Sequence, residues 1–186
     1  MMKSEKKWMS LMKKLNLISS SIIFLFFFIV SSFGSDQKDI FGIAKVIDGD
    51  TIKIKDKRIR LNGIDAPEIK QECKNEIGIY DCGVVSKLFL EKLILSENIL
   101  CLYRELDRYK RILGTCYTVE NFEFKKKLTS VLGKNLNSKM VSSGQAVAYR
   151  KYSKNYIDHE EIAKNKKIGI WSGEFDMPWE WRKKNK

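Results

Sequence analysis

With 186 residues, 44% of them hydrophobic, the chain can fill one compact core but hardly two, so a single globular domain is expected. A formal net charge of +12 makes polyanions the first class of partner to consider, because clustered Lys and Arg attract phosphate at long range. The only histidine, His159, excludes a mechanism in which two histidines of one chain share the acid and base work.

At the N-terminus, Lys3, Lys6, Lys7, Lys13 and Lys14 precede the apolar run IIFLFFFIV at 22–30, and Ser31, Ser32, Gly34 and Ser35 follow it. This is the order of an export signal. Residues 1–34 are therefore expected to be a signal peptide or, because 15–33 approaches the roughly 20 residues that span a bilayer, an uncleaved membrane anchor. Asn16 and the flanking serines shorten the apolar centre and favour cleavage. Without the five lysines and one glutamate of this segment, residues 35–186 still carry +8. Export into an oxidising compartment would pair Cys73, Cys82, Cys101 and Cys116 as disulfides, although their spacing alone admits three pairings. A zinc site is disfavoured, since there is no CxxC pair and His159 lies far along the chain in an expected helix.

Residues 41–64 alternate and break as short strands do: FGIAKVI, the turn DGD, TIKIK, the turn DK, then RIRLNGI. They read as a three-stranded meander. From Cys82 the spacing becomes helical, with Val85, Phe89 and Leu93 four apart and Leu88 on the same flank, ending near Ser96 and Asn98. ILCLYREL at 99–106 and RILGTCYTV at 111–119 read as strands joined by DRYK, with NFEF at 121–124 extending the second and KKKLTSVLGKN as a loop. LNSKMVSSG at 136–144 has the apolar spacing of a short helix, and 155–167 reads as a third helix stopped by Gly169. Strands, helix, strands, helices is the order of an α+β fold with an antiparallel sheet or small barrel.

The chemistry gathers in two turns. Asp48 and Asp50 flank Gly49, while Asp65 and Glu68 follow the third strand. Asp and Gly are also ordinary turn formers. If strands one and three are neighbours on a curved sheet, however, the four acids converge at one edge, and hard cations such as Ca²⁺ prefer several oxygen ligands. Pro67 fixes the chain between Asp65 and Glu68 and would aim both carboxylates. Arg60 and Arg111 bring guanidinium groups, which match phosphate oxygens with two parallel hydrogen bonds. A metal and two arginines could stabilise charge developing on a phosphate, and a carboxylate off the metal could position or deprotonate water.

IDGDT at 47–51, RLNGIDAPE at 60–68, DRYKR at 107–111, LNSKMVSSGQAVAY at 136–149 and GIW at 169–171 resemble, in this order, blocks of the staphylococcal nuclease (thermonuclease) family. The resemblance covers roughly 40–172. It implies that 35–186 is one mainly β, α+β domain, an OB-fold five-stranded barrel with about three helices. It also implies Ca²⁺-dependent hydrolysis of DNA and RNA leaving 3′-phosphates. By position, Asp50, Asp65 and the Ala66 backbone carbonyl would hold Ca²⁺, with Asp48 in support. Glu68 would act as the general base, and Arg60 and Arg111 would hold the phosphate. Tyr109 and Tyr149 would line the nucleotide site. In such a barrel Cys101 and Cys116 would lie on neighbouring strands, which leaves Cys73 with Cys82. Two departures stand out: Lys110 occupies a place where the family commonly has glycine, and 121–135 is longer than a tight hairpin and would add a basic lip. PWEWRKK at 178–184 and the four cysteines resemble an exported bacterial branch of the family. The alternative expectation is a non-catalytic nucleic-acid-binding module of the same fold; in such modules the acids and arginines are typically replaced, whereas here they are present.

Overall fold

A computed structural model describes residues 37–95, 97–119 and 132–186. The expected leader at 1–34, the expected NFEF extension and most of the expected 125–135 loop lie outside these residues.

Strands β1 (Lys38–Asp48), β2 (Thr51–Ile54) and β3 (Lys57–Leu61) form the expected antiparallel meander, with Val46 opposite Ile52 and Ile52 opposite Ile59. After the short strands β4 (Ile64–Asp65), β5 (Cys73–Lys74) and β6 (Ile79–Tyr80) comes helix α1 (Cys82–Ile94). Strands β7 (Asn98–Leu106) and β8 (Ile112–Val119) follow. β1 pairs with β7, β7 with β8, and β8 runs parallel to β3, so the pairings of these five strands close into a ring. Ile52, Ile54, Ile59, Leu61, Ile99 and Ile112 are buried together with Leu90 and Ile94 of α1. Each fully buried side chain of this size stabilises the fold by about 1.5–3 kcal/mol. The fold is thus α+β and mainly β, with the OB-type ring that the sequence implied.

The remaining described elements are β9 (Leu132–Asn135), α2 (Leu136–Ser142), β10 (Val147–Ala148), α3 (Ile157–Asn165), a 3₁₀ turn (Gly169–Ser172) and α4 (Pro178–Lys184). The Asn135 side chain accepts a hydrogen bond from the Ser138 N–H, capping α2, whose Leu136 and Met140 are buried as expected. Disulfides join Cys73 to Cys82 and Cys101 to Cys116, the latter pair directly opposite on β7 and β8. Among the described residues no helix is long and apolar enough to cross a membrane.

To the about three helices expected, the described residues add a short fourth, α4, which Pro178 opens and whose C-terminal end suits Arg182, Lys183 and Lys184. Two expectations are corrected. LGKN at 132–135, expected to be loop, is a strand held by β8, with Leu132 opposite Val119. The fully buried face of α1 is Ser86, Leu90 and Ile94; of the expected stripe, Phe89 and Leu93 are half-buried against the core, while Val85 and Leu88 are 41% and 56% exposed. The helix is apolar on both flanks, and its rotation is set at its start, where Cys82 is cross-linked and a Cβ on Gly83 would strike the Glu68 carbonyl.

A second buried cluster anchors the C-terminal segment. Cys73, Cys82, Val147 and Ile170 pack with Trp171, Phe175, Met177 and Trp179. Lys74 and Glu174 exchange backbone hydrogen bonds, and the buried Gln71 side chain donates to the Asp176 carbonyl. This lacing carries α4 to the end of β4, where Arg182 meets Asp65.

Candidate active site

The β1–β2 turn folds Asp50 inward. Its backbone N–H donates to Asp48 Oδ1 at 3.0 Å, and its own Oδ2 accepts from the Ala66 N–H at 3.0 Å. Gly49 is required between the two acids, because a Cβ there would collide with Ser86 Oγ and the Ala66 side chain. Arg60 stands opposite Thr51 on β3 and reaches both turns: Nη1 donates to Asp50 Oδ1 at 2.8 Å and Nη2 to Asp65 Oδ1 at 2.6 Å. Asp65 is fully buried where β4 pairs with β10. Gly63, with φ +76°, makes the bend that turns β3 into β4, and its carbonyl accepts from the Tyr149 N–H.

The structure therefore brings Asp50, Arg60, Asp65 and Glu68 into one hydrogen-bonded cluster, and it adds a member the sequence reading did not single out. Arg182 of α4 donates to both Asp65 oxygens, at 3.1 and 2.7 Å, and to Glu68 Oε1 at 2.7 Å. Trp179, one helical turn earlier, stacks on Tyr149. The signal available was PWEWRKK itself, a proline followed by aromatic and basic residues at helical spacing.

Arg111 lines the same cleft but is not joined to these acids. Its Nε donates to Asp107 Oδ2 at 2.8 Å and its backbone N–H to Asp107 Oδ1 at 2.9 Å. Tyr109 is 64% exposed at the rim, with the Arg108 guanidinium 4.7 Å from its ring centre. Lys110 adopts φ +62°, which explains why glycine suits this turn position. Tyr149, Tyr152, Trp179, Lys151, Lys183 and Lys186 also line this cleft, of about 1030 Å³.

Electrostatics follow from this packing. Burial, and then the Asp50 charge beside it, push the Asp48 carboxyl up to about 6. Burial also raises Asp65, against the pull of Arg182 and Arg60. For Arg60, burial would lower the pKa, but the Asp50 and Asp65 charges outweigh it and the guanidinium is held above its usual range. Arg182 is likewise held above its usual range: burial would lower it, but hydrogen bonds to Asp65 and Glu68 and their charges outweigh this.

Negative charge in excess at Asp48 and Asp50, with the hard oxygens of Asp65 nearby, suits a hard divalent cation. Among the described residues no three Asp, Glu, His or Cys side chains already converge as around a metal; guanidinium groups hold the Asp50 and Asp65 oxygens instead. The donor chemistry fits the ion, and Arg60 and Arg182 now hold oxygens that it would use.

Comparison with known proteins identifies the family. Residues 58–173 match the family model described as staphylococcal nuclease homologue. The chain is 37% identical to the succinoglycan biosynthesis protein ExoI of Rhizobium meliloti, over 71% of this chain and 64% of that protein. It thus spans just under two thirds of that relative's length. It is 34% identical to an uncharacterized endonuclease of Escherichia coli, over 77% of this chain and 86% of that one. Against a micrococcal nuclease of Shigella flexneri it is 31% identical, over 77% and 80%. With the family model covering more than half of its residues and relatives of this kind above 30% identical, the chain belongs to the staphylococcal nuclease family.

Proposed function

We propose that the protein is a Ca²⁺-dependent, sequence-nonspecific endonuclease that hydrolyses phosphodiester bonds of DNA and RNA and leaves 3′-phosphates. The observation that carries this reading is the single cluster of Asp50, Arg60, Asp65 and Glu68 at one end of a cleft walled by aromatic and basic side chains. Nuclease-named relatives support the reaction class.

Asp50, Asp65 and the Ala66 carbonyl would hold Ca²⁺, with Asp48 in support, and the bound ion supplies positive charge beside a phosphoryl oxygen. Arg60, fixed by two carboxylates, presents a guanidinium of set orientation to the phosphate. Glu68 accepts or orients a proton of the attacking water; the new bond forms to phosphorus and the 5′-oxygen leaves. Arg111 stabilises charge on the phosphate oxygens as they crowd. Tyr109 and Tyr149 pack against base or sugar. Binding through the backbone predicts little sequence preference and a strong fall in affinity with salt. The protein acts as a monomer, exported through its N-terminal segment or held by it to a membrane. Two disulfides suit that compartment.

Digestion of plasmid DNA, single-stranded DNA and RNA by the purified protein tests the reading, with Ca²⁺, with Mg²⁺ and with chelator, alongside Glu68→Gln. Cleavage that needs Ca²⁺ and fails in the variant is the expected result. A folded protein that retards nucleic acid on a gel and cuts none would instead be a binding module.

A further inference from the structure

The two guanidinium groups at Asp65 are not equivalent. Arg60 is mounted on a central strand, is 18% exposed and links two acids that belong to the same scaffold. Arg182 arrives from the far end of the chain, is 33% exposed, and spans Asp65 and Glu68 with one planar fork. Both donate to the same oxygen, Asp65 Oδ1, and each positive charge disfavours the other. A third positive centre brought to Asp65 would meet both.

Helix α4 does not depend on Arg182 for its place. Pro178 is buried, Trp179 lies on Tyr149 and joins the second buried cluster, and Lys184 pairs with Asp176 at 2.7 Å. The long Arg182 side chain can therefore leave the acids by rotamer changes while the helix stays docked.

Resting on the metal reading above, we propose that Arg182 is a tethered counter-ion which a divalent cation must displace from Asp65 and Glu68, so that α4 sets the cation affinity of the site. With the ion absent, the guanidinium neutralises the buried Asp65 charge, which otherwise would be expensive to keep out of water. With the ion present, Glu68 is released from its partner at the moment it is needed for water. Metal loading and freeing of the base thus become one event.

The test is calorimetric titration of CaCl₂ into chelator-treated protein for the wild type, Arg182→Gln, Arg182→Lys and Asp50→Asn. Removing a unit charge a few ångströms from the ion should tighten Ca²⁺ binding by at least about tenfold in Arg182→Gln, even after generous screening. Arg182→Lys keeps the charge but loses the fork, and should fall between it and the wild type. In the wild type, Ca²⁺ should also shift the proton–nitrogen NMR signal of the Arg182 guanidinium. Weaker Ca²⁺ binding in both Arg182 variants would mean that Arg182 holds the acids in place for the ion, and overturns the proposal. Binding unchanged in both, with Asp50→Asn impaired, overturns it and leaves the metal reading standing. Failure of the wild type and Arg182→Gln alike to bind Ca²⁺ overturns both. Should Arg182→Gln not fold, the Arg182→Lys titration and the guanidinium signal decide.

Discussion

Trp179 lies flat on Tyr149, with ring centroids 5.4 Å apart and planes 4° from parallel. Tyr152 meets the same tyrosine edge-on at 4.8 Å, so Tyr149 is clamped on two sides. Trp179→Ala should cost about 2 kcal/mol through lost stacking and burial. Thermal denaturation gives the cost, and amide hydrogen exchange locates it: protection should fall in 178–184 and stay in β1–β3. Unchanged exchange in α4 would mean that the stack does not hold the helix.

Glu68→Gln should lose about 10²–10⁴ of turnover while keeping Ca²⁺ and nucleotide binding, because the amide neither accepts a proton nor carries charge. Asp50→Ala should weaken Ca²⁺ binding itself. A Ca²⁺ titration of both variants separates the roles, and the reverse pattern would overturn both assignments.

Arg111→Lys tests geometry rather than charge. The guanidinium is oriented by Asp107 through Nε, which a lysine cannot reproduce. A loss of at least about tenfold in kcat is expected. Full turnover in the variant would remove Arg111 from the transition state.

The meander was legible because β1–β3 alternate in type around two turns of strong chemistry, and Asp48, Asp50, Arg60, Asp65 and Glu68 all sit at or beside those turns. Their convergence needed only that β1 and β3 flank β2. Arg182 was not legible in that way: it meets Asp65 across 117 positions, and no periodicity links them. The face of α1 was read only in part, with Phe89 and Leu93 against the core but Val85 and Leu88 off it, because these are as apolar as Leu90 and Ile94, and what chooses between them is the tertiary contact of Gly83 with the Glu68 carbonyl. β9 escaped because LGKN lacks strand-forming side chains and owes its conformation to pairing with β8. The cysteine spacing admitted three pairings, and the closure of β7 on β8 selects the observed one.

The two disulfides should separate stability from turnover. Cys101 and Cys116 are 15 residues apart in sequence and lie within the main core, so replacing both by Ala should cost about 3 kcal/mol of stability with activity retained below the lowered Tm. Cys73 and Cys82 are 9 apart and tie the segment after Glu68 to the start of α1. Replacing them should cost less in Tm and more in kcat. Denaturant unfolding and initial rates on both double variants check the contrast, and equal effects would contradict it.

Asp107 offers a pH test remote from the carboxylate cluster. Burial pushes its pKa up, but hydrogen bonds from the Arg111 and Tyr109 N–H groups and the Arg111 guanidinium outweigh this and hold it below 3.8. The folded state therefore binds the proton more weakly than the unfolded chain. The resulting stability is fully present above the unfolded value and is lost as pH falls through the folded one. Because the pair is open to solvent screening, its contribution should stay under about 1 kcal/mol. Asp107→Asn should lower Tm slightly at neutral pH, and the gap to the wild type should close as the solution is taken below pH 3.8. Arg111, left without its orienting carboxylate, should lose turnover at neutral pH more than this small change in stability explains. A Tm gap that widens on acidification would reverse the sign assigned to Asp107.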